Sequence, residues 1–329
     1  MKRLVMVGCG GFSRRYHLQT LLTDPQTKIV GIFDPHPAPQ VHEIADQTGA
    51  KLVHRLDQLP DADAALVTTP HVLHAQHITY TLERGWATLV DKPFVMDLAD
   101  GRRLVEMAGT RGLVNAVGFN RRLDRGCRRA REVIASGALG AVRLVQTVQL
   151  GYEAGGWFLQ PELGGGGAFT GRATHMADIV PWMLQKRPIR VHSRLRPGPA
   201  GRVDRGGFID LEFADLECQM NCIDQGLHMW DEIRIFGETG FIEMRRPMDL
   251  GTGWSMQWTQ ANGTVLEKVA ADAGTGWITT DFLRAVQQGM PVACTFADAL
   301  LSVEIIQAAF ASAASQQAHD LHAVALSAA

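Results

Sequence analysis

The sequence predicts an α/β protein of two domains, and three observations carry that expectation. Short apolar runs alternate with helix-like segments up to about residue 120; a glycine-rich turn follows the first run; strands of period two recur from residue 142 onward. Alternating strands and helices imply a parallel sheet, whereas short strands separated by turn signals imply an antiparallel one. At 329 residues the chain exceeds the size at which a single hydrophobic core stops growing. The expected division is residues 1–120 and residues 121–329.

Composition narrows the partners. Lys and Arg number 32 against 34 Asp and Glu, so no basic excess is available to neutralise a phosphate backbone, and nucleic acid is not expected. The five cysteines (Cys9, Cys127, Cys218, Cys222 and Cys294) are odd in number and scattered, as in a reducing compartment, so a cytoplasmic protein is expected. Cys218 and Cys222 lack nearby His or Cys partners and make a poor zinc site; packing is the simpler reading. The chain enters a strand at residue 3, which leaves no room for a signal peptide's apolar core. No later stretch reads as a membrane span, and no membrane partner is expected.

Taken in order, Leu4-Val5-Met6-Val7 reads as a buried parallel strand, followed by Gly8-Cys9-Gly10-Gly11-Phe12-Ser13 and a helix-compatible segment through Leu22. In such a turn the first glycine permits the tight bend and the second lets the backbone approach a pyrophosphate. Ser13 stands at the third, close-packing position. The second strand, Lys28 to Phe33, ends at Asp34, 26 residues after Gly8. A carboxylate there accepts hydrogen bonds from a ribose 2′-hydroxyl and repels a 2′-phosphate, which favours NAD over NADP. The alternative is a turn-forming carboxylate ahead of Pro35. A short strand near Leu52 and the run Ala64 to Val67 follow, the latter ending in Thr68-Thr69-Pro70. His71, His74 and His77 come next in a helix; steps of three smear around its circumference, and no metal is expected. Another apolar run, Ala87 to Val90, ends in Asp91-Lys92-Pro93. Ligands of open α/β sheets lie beyond the carboxyl ends of the strands, so Lys92 is placed to touch one; the alternative is a loop lysine. A helix from about Asp97 to Thr110 and a strand to Val117 lead into Gly118-Phe119-Asn120-Arg121-Arg122.

These stretches, in this order and spacing, resemble the glucose–fructose oxidoreductase / inositol dehydrogenase (Gfo/Idh/MocA) family. The resemblance implies an N-terminal Rossmann domain with a parallel sheet and a C-terminal α/β domain with a large, mostly antiparallel sheet. It implies hydride transfer between NAD or NADP and a carbinol carbon of a sugar, cyclitol or sugar acid. It places Gly8, Gly10, Gly11, Phe12, Ser13, Asp34, Thr68, Thr69, Pro70, His74, Asp91, Lys92 and Asn120 at the cofactor. The family's Glu-Lys-Pro is Asp91-Lys92-Pro93 here.

In the second domain a helix from Asp124 to Ser136 carries Arg125, Arg128, Arg129 and Arg131, read as a solvated face. Val142 to Leu150 alternates at period two. Gly164 to Gly167 precede a helix from Ala168 to Leu184 that holds His175 and Asp178 one turn apart. The family pattern here is Asp-x-x-x-His with a further Asp; His175 and Asp178 match it, but Gly171 stands in place of the first aspartate. Strand-like runs then recur to Trp258, and two helices close the chain.

Oxidising a secondary alcohol requires a group that removes the hydroxyl proton. Lys92 can hold the hydroxyl oxygen and His175 can accept a proton near neutral pH; the alternative for His175 is backbone satisfaction at a helix start. Arg121, Arg122, Trp157 and Arg172 join His175 as candidate substrate contacts. With Gly171 carrying no charge and Arg172 beside it, a more positive site and an anionic substrate are expected. Two other functions stay open: a cofactor-binding sensor without turnover, and NAD-dependent glycoside cleavage. A homodimer or homotetramer through the large sheet is expected.

Overall fold

The computed structural model describes residues 1–152, 155–224, 229–247, 253–260, 263–270 and 276–321. The chain divides into two compact units, Met1–Asn120 with Gly274–Leu300, and Arg121–Ala273 with Leu301–Ala329. A boundary at residue 120 was expected; the return of 274–300 to the first unit corrects an unbroken second domain.

The first unit is built on six parallel strands: β1 (Lys2–Val7), β2 (Thr27–Phe33), β3 (Lys51–Val53), β4 (Ala64–Val67), β5 (Ala87–Val90) and β6 (Asn115–Val117). Their order is β3-β2-β1-β4-β5-β6. Leu4 to Val7 and every residue of β4 and β5 are buried, which is why these runs are apolar without alternation. The order reverses between β1 and β4, the switch point at which such sheets open a crevice. Helix α1 (Gly11–Tyr16) is interrupted at His17 before α2 (Leu18–Thr23); α3 (Pro39–Thr48), α4 (His74–Glu83) and α5 (Leu98–Thr110) complete the crossovers. Asp97 caps α5, its carboxylate accepting from the amides of Ala99 and Asp100.

The second unit opens with α6 (Arg125–Ala135), capped by Asp124, which accepts from the Cys127 amide. Strand β7 (Val142–Gly151) leads to a short α7 (Pro161–Gly164). A π-turn over Phe169–Ala173 then runs into α8 (Thr174–Leu184). The strands that follow are β8 (Arg190–Leu195), β9 (Gly206–Glu212), β10 (Glu217–Asp224), β11 (Trp230–Gly237), β12 (Phe241–Pro247), β13 (Trp254–Gln260) and β14 (Gly263–Val269). With β7 and β15 (His319–Asp320) they form a nine-stranded sheet, β14-β13-β12-β11-β7-β10-β9-β8-β15, in which, among the described residues, β7 and β10 are the only neighbours that pair in parallel. Cys218, Met220 and Cys222 of β10 face the core while Glu217, Gln219 and Asn221 face out, so the two cysteines pack.

Two helices close the chain. From α9 (Gly276–Gln288), Thr279 Oγ1 lies 2.8 Å from Nδ1 of buried His17. Downstream of it, Cys294 accepts from the Val117 amide (2.9 Å), and Phe296 stacks on Phe94 with ring centroids 4.5 Å apart. Helix α10 (Phe296–Ser315) is long and apolar enough, by length and composition, to cross a membrane, which corrects the reading that no stretch is. Its apolarity is that of a core helix: Leu301, Ile305, Ile306 and Ala309 are buried, and Glu304 pairs with Arg187.

Candidate active site

The loops at the carboxyl ends of the first unit's strands gather most of the sequence candidates. Gly8 has φ +92°, and a Cβ there would sit 2.9 Å from the Thr68 carbonyl oxygen, so the fold itself demands glycine. Gly10 and Gly11 differ. Gly10 has an ordinary extended backbone with φ −69°, and a Cβ at either position would meet nothing within 4 Å. Their lack of side chains therefore leaves open space beside the turn. Thr68 Oγ1 donates to the Gly8 carbonyl at 2.9 Å and ties the β4 loop to this turn. Phe12 is 40% exposed and packs on Tyr16, whereas Ser13 is fully buried and fills the close-packing role.

Asp34 ends β2 against the same turn, its carboxylate accepting from the Cys9 amide at 3.4 Å and the His36 amide at 3.0 Å. The second bond is the turn-forming contact considered as the alternative; the first aims the carboxylate at the glycine loop. The two contacts coexist. Beyond β5, the Asp91 carboxylate accepts from the Lys92 amide at 2.9 Å, and Gly118 lies so close that a Cβ would meet Asp91 Oδ1 at 2.9 Å. Burial pushes the Asp91 carboxyl up to about 6, against the opposing pull of the Lys92 charge. Lys92 is half-buried and joined to Pro93 by a cis peptide. Asn120 Oδ1 is buried with no partner among the described residues, a group that an outside donor could satisfy.

Thr69 and His74 serve differently from expectation. His74 is 1% exposed, with Nδ1 2.8 Å from the Pro93 carbonyl and Nε2 2.9 Å from the Thr69 carbonyl, while Thr69 Oγ1 lies 2.8 Å from His77 Nδ1. Burial holds the His74 imidazole below its usual pKa. It has no surface to offer a cofactor; it braces the Thr69 and Pro93 loops. His74 and His77 thus point to separate partners, and among the described residues no cluster of three metal-ligating side chains occurs.

In the second unit, His175 is half-buried in the first turn of α8, where Thr174, Met176, Ala177 and Asp178 are buried. Asp178 binds Arg122 through both oxygens, with Arg122 Nε and Nη2 at 2.7–3.1 Å. This fixes the helix turn that carries His175. Arg121 pairs with Asp231. Burial pulls its guanidinium down, but the adjacent carboxylate more than restores it. At 3% and 7% exposure the two arginines are structural ion pairs, which corrects their assignment to substrate. Arg172 pairs with Asp224 and donates to the Tyr152 carbonyl at 2.8 Å, so its charge is compensated and the inference of a more positive site falls. A Cβ at Gly171 would meet nothing within 4 Å. Trp157 is half-buried and stacks on Phe158 at 3.8 Å.

Sequence reasoning missed Asp231, Asp224 and Gln149. With its amide turned so that nitrogen faces the Arg172 carbonyl (2.9 Å) and oxygen faces Arg121 Nη2 (2.7 Å), Gln149 joins the π-turn to the buried pair. Nothing local marks these three residues: each is a polar residue on an inward strand position. That placement, in an otherwise apolar register, is the one signal available.

A parallel sheet of this order, with an open glycine turn and an acid at the end of its second strand, defines a dinucleotide-type domain, joined here to a large mixed-sheet domain. Residues 2–119 match the oxidoreductase family with NAD-binding Rossmann fold, and residues 127–243 match the GFO/IDH/MocA C-terminal domain. The chain belongs to the Gfo/Idh/MocA family. It is 27% identical over 250 residues to a 1-carboxy-3-chloro-3,4-dihydroxycyclo hexa-1,5-diene dehydrogenase of Comamonas testosteroni, covering 73% of this chain and 63% of that relative. Among solved structures, GenD2 from gentamicin A biosynthesis, in complex with NAD, superposes with a TM-score of 0.84 at 26% identity, covering 98% and 97% of the two chains. KijD10, a 3-ketoreductase from Actinomadura kijaniata in complex with NADP, shares the fold with a TM-score of 0.84 at 21% identity, covering 94% and 97%.

Proposed function

We propose that the protein is a NAD-dependent oxidoreductase that moves a hydride between nicotinamide and a carbinol carbon of a sugar, cyclitol or sugar acid. The observation that carries this reading is the open turn at Gly10 and Gly11, which nothing in the protein requires, facing a carboxylate held at Asp34. NAD, when bound, supplies the hydride acceptor. The chain supplies the rest. Backbone amides of the Gly8–Ser13 turn hold phosphate, and Asp34 accepts from the ribose hydroxyls. Lys92 holds the substrate hydroxyl oxygen and stabilises developing alkoxide charge, and a ring nitrogen of His175 takes the proton. The relative that acts on a dihydroxycyclohexadiene supports a ring carrying hydroxyl groups as the substrate class.

NADH formation over a panel of polyols, aldoses, uronates and glycosides tests this. NADH released with a hydroxylated ring supports it; sugar binding with no NADH points instead to a sensor, and glycoside cleavage without net NADH to transient use of the cofactor. With the best substrate, Lys92→Met and His175→Ala are each expected to lower kcat at least about a hundredfold while leaving NAD affinity nearly unchanged. Near-full activity of His175→Ala sinks its role.

We also propose a homodimer or homotetramer through the outward face of the large sheet, where Phe236 is 36% exposed beside half-buried Leu144 and Phe241. Light scattering that returns a 36.0 kDa particle at micromolar concentration contradicts it.

A further inference from the structure

The residue whose carboxylate faces the glycine turn carries one imidazole on its backbone and has a second histidine two positions on in sequence. His54 Nδ1 lies 3.2 Å from the Asp34 carbonyl oxygen, and His36 lends its amide to Asp34 Oδ1 at 3.0 Å. A carbonyl only accepts, so His54 Nδ1 carries the ring proton and Nε2 is left as the acceptor. Both histidines are exposed, whereas His17, His71, His74 and His77 of the same unit are buried.

We propose that His54, assisted by His36, is a specificity-determining residue that makes the choice between NAD and NADP depend on pH. The proposal rests on the dinucleotide reading above. With the imidazoles neutral, Asp34 dominates the field at the ribose edge and a 2′-phosphate is repelled. Protonated, His54 sets a positive charge against the same residue, with His36 two positions on in sequence, and acts as an arginine does where this motif takes NADP. The other charged or titratable groups around them are Arg14, which donates from Nη1 to the Cys9 carbonyl at 2.8 Å, and the exposed Arg55–Asp57 pair. Cys9 completes the turn, its thiol pushed by burial up to about 11, and α3, packed on β2 and β3, carries exposed His42, Glu43 and Asp46. Among these types only imidazole ordinarily changes charge between about pH 6 and pH 8.

The test is fluorescence titration of NADH and NADPH at about pH 6 and about pH 8, at constant low ionic strength. The 2′-phosphate itself gains a proton near pH 6, so part of any pH effect belongs to the ligand. The His36→Gln/His54→Gln double variant isolates that part. In the wild type the NADPH/NADH Kd ratio is expected to fall about tenfold from pH 8 to pH 6, and in the double variant about threefold or less. His54→Gln falls between them, and His42→Gln behaves as wild type. Equal pH dependence in wild type and double variant overturns the proposal while leaving NAD binding intact. Absence of NADH binding at either pH overturns the dinucleotide reading, and this proposal with it.

Discussion

The two units hold their interiors together with different polar chemistry. In the first, the buried polar groups around the sheet are imidazoles and hydroxyls: His17 on Thr279, His77 on Thr69, Thr81 on Thr88. In the second, buried ion pairs join the hydroxyls: Arg121 with Asp231, Arg122 with Asp178, and Arg246 with Asp124. A neutral pair is modest in net stability and survives the loss of one partner with moderate cost. A buried ion pair is costly to break from one side, because the remaining charge has no solvent. The first unit is therefore sensitive to protons and the second to single substitutions.

The largest expected effect breaks the second unit. Asp231→Leu leaves the Arg121 guanidinium buried against an apolar side chain and is expected to cost about 3–5 kcal/mol in urea unfolding. Arg121→Met combined with Asp231→Leu should recover more than half of that loss. A single-variant cost below about 1 kcal/mol removes the distinction between the units.

The next effect is on the first unit in acid. Burial lowers His17 and His77 from about 6.5 to about 4, so both are neutral in the fold at neutral pH. The unfolded chain binds their protons first as pH falls, and the stability they contribute is present above about 6.5 and lost as pH drops toward about 4. The loss amounts to about 3 kcal/mol for each group. Asp91 acts in the opposite sense: its carboxyl, raised to about 6, adds stability as pH falls through that value and blunts the acid limb. Hydrogen exchange followed from pH 7 to pH 4 should show the first unit's amides losing protection before the second's, and His17→Gln with His77→Gln should reduce the difference. Simultaneous loss in the wild type contradicts it.

The smallest effect sharpens the reading of α8. Because a Cβ at Gly171 meets nothing, Gly171→Asp should fold with a stability change within about 0.5 kcal/mol by thermal denaturation. A loss above about 2 kcal/mol means that the space is not available.

How much of this was legible depended on how far each residue's partner lay along the chain. The parallel sheet could be read because β4 and β5 are four-residue buried runs, apolar but for Thr88. The glycine turn and Asp34 could be read because the motif itself fixes their meeting at the ends of adjacent strands. Strand β14 escaped notice: as the outermost strand it alternates around Leu266, which is 75% exposed, and carries no apolar face strong enough to signal. The roles of Arg121 and Arg172 could not be read either. Their carboxylates lie 110 and 52 residues away, and a guanidinium on a buried aspartate looks, in sequence, like one waiting for a ligand.

The return of residues 274–300 to the first unit bears on how such genes can be recombined. A cut after residue 120 severs the hydroxyl from His17, the carbonyl of Cys294 from β6 and the ring of Phe296 from Phe94. The cofactor half is thus not an excisable cassette. Grafting it onto a foreign partner takes two junctions, one near residue 120 and another that brings the distant helix along, and a chimera made with only the first carries an apolar wound on its sheet.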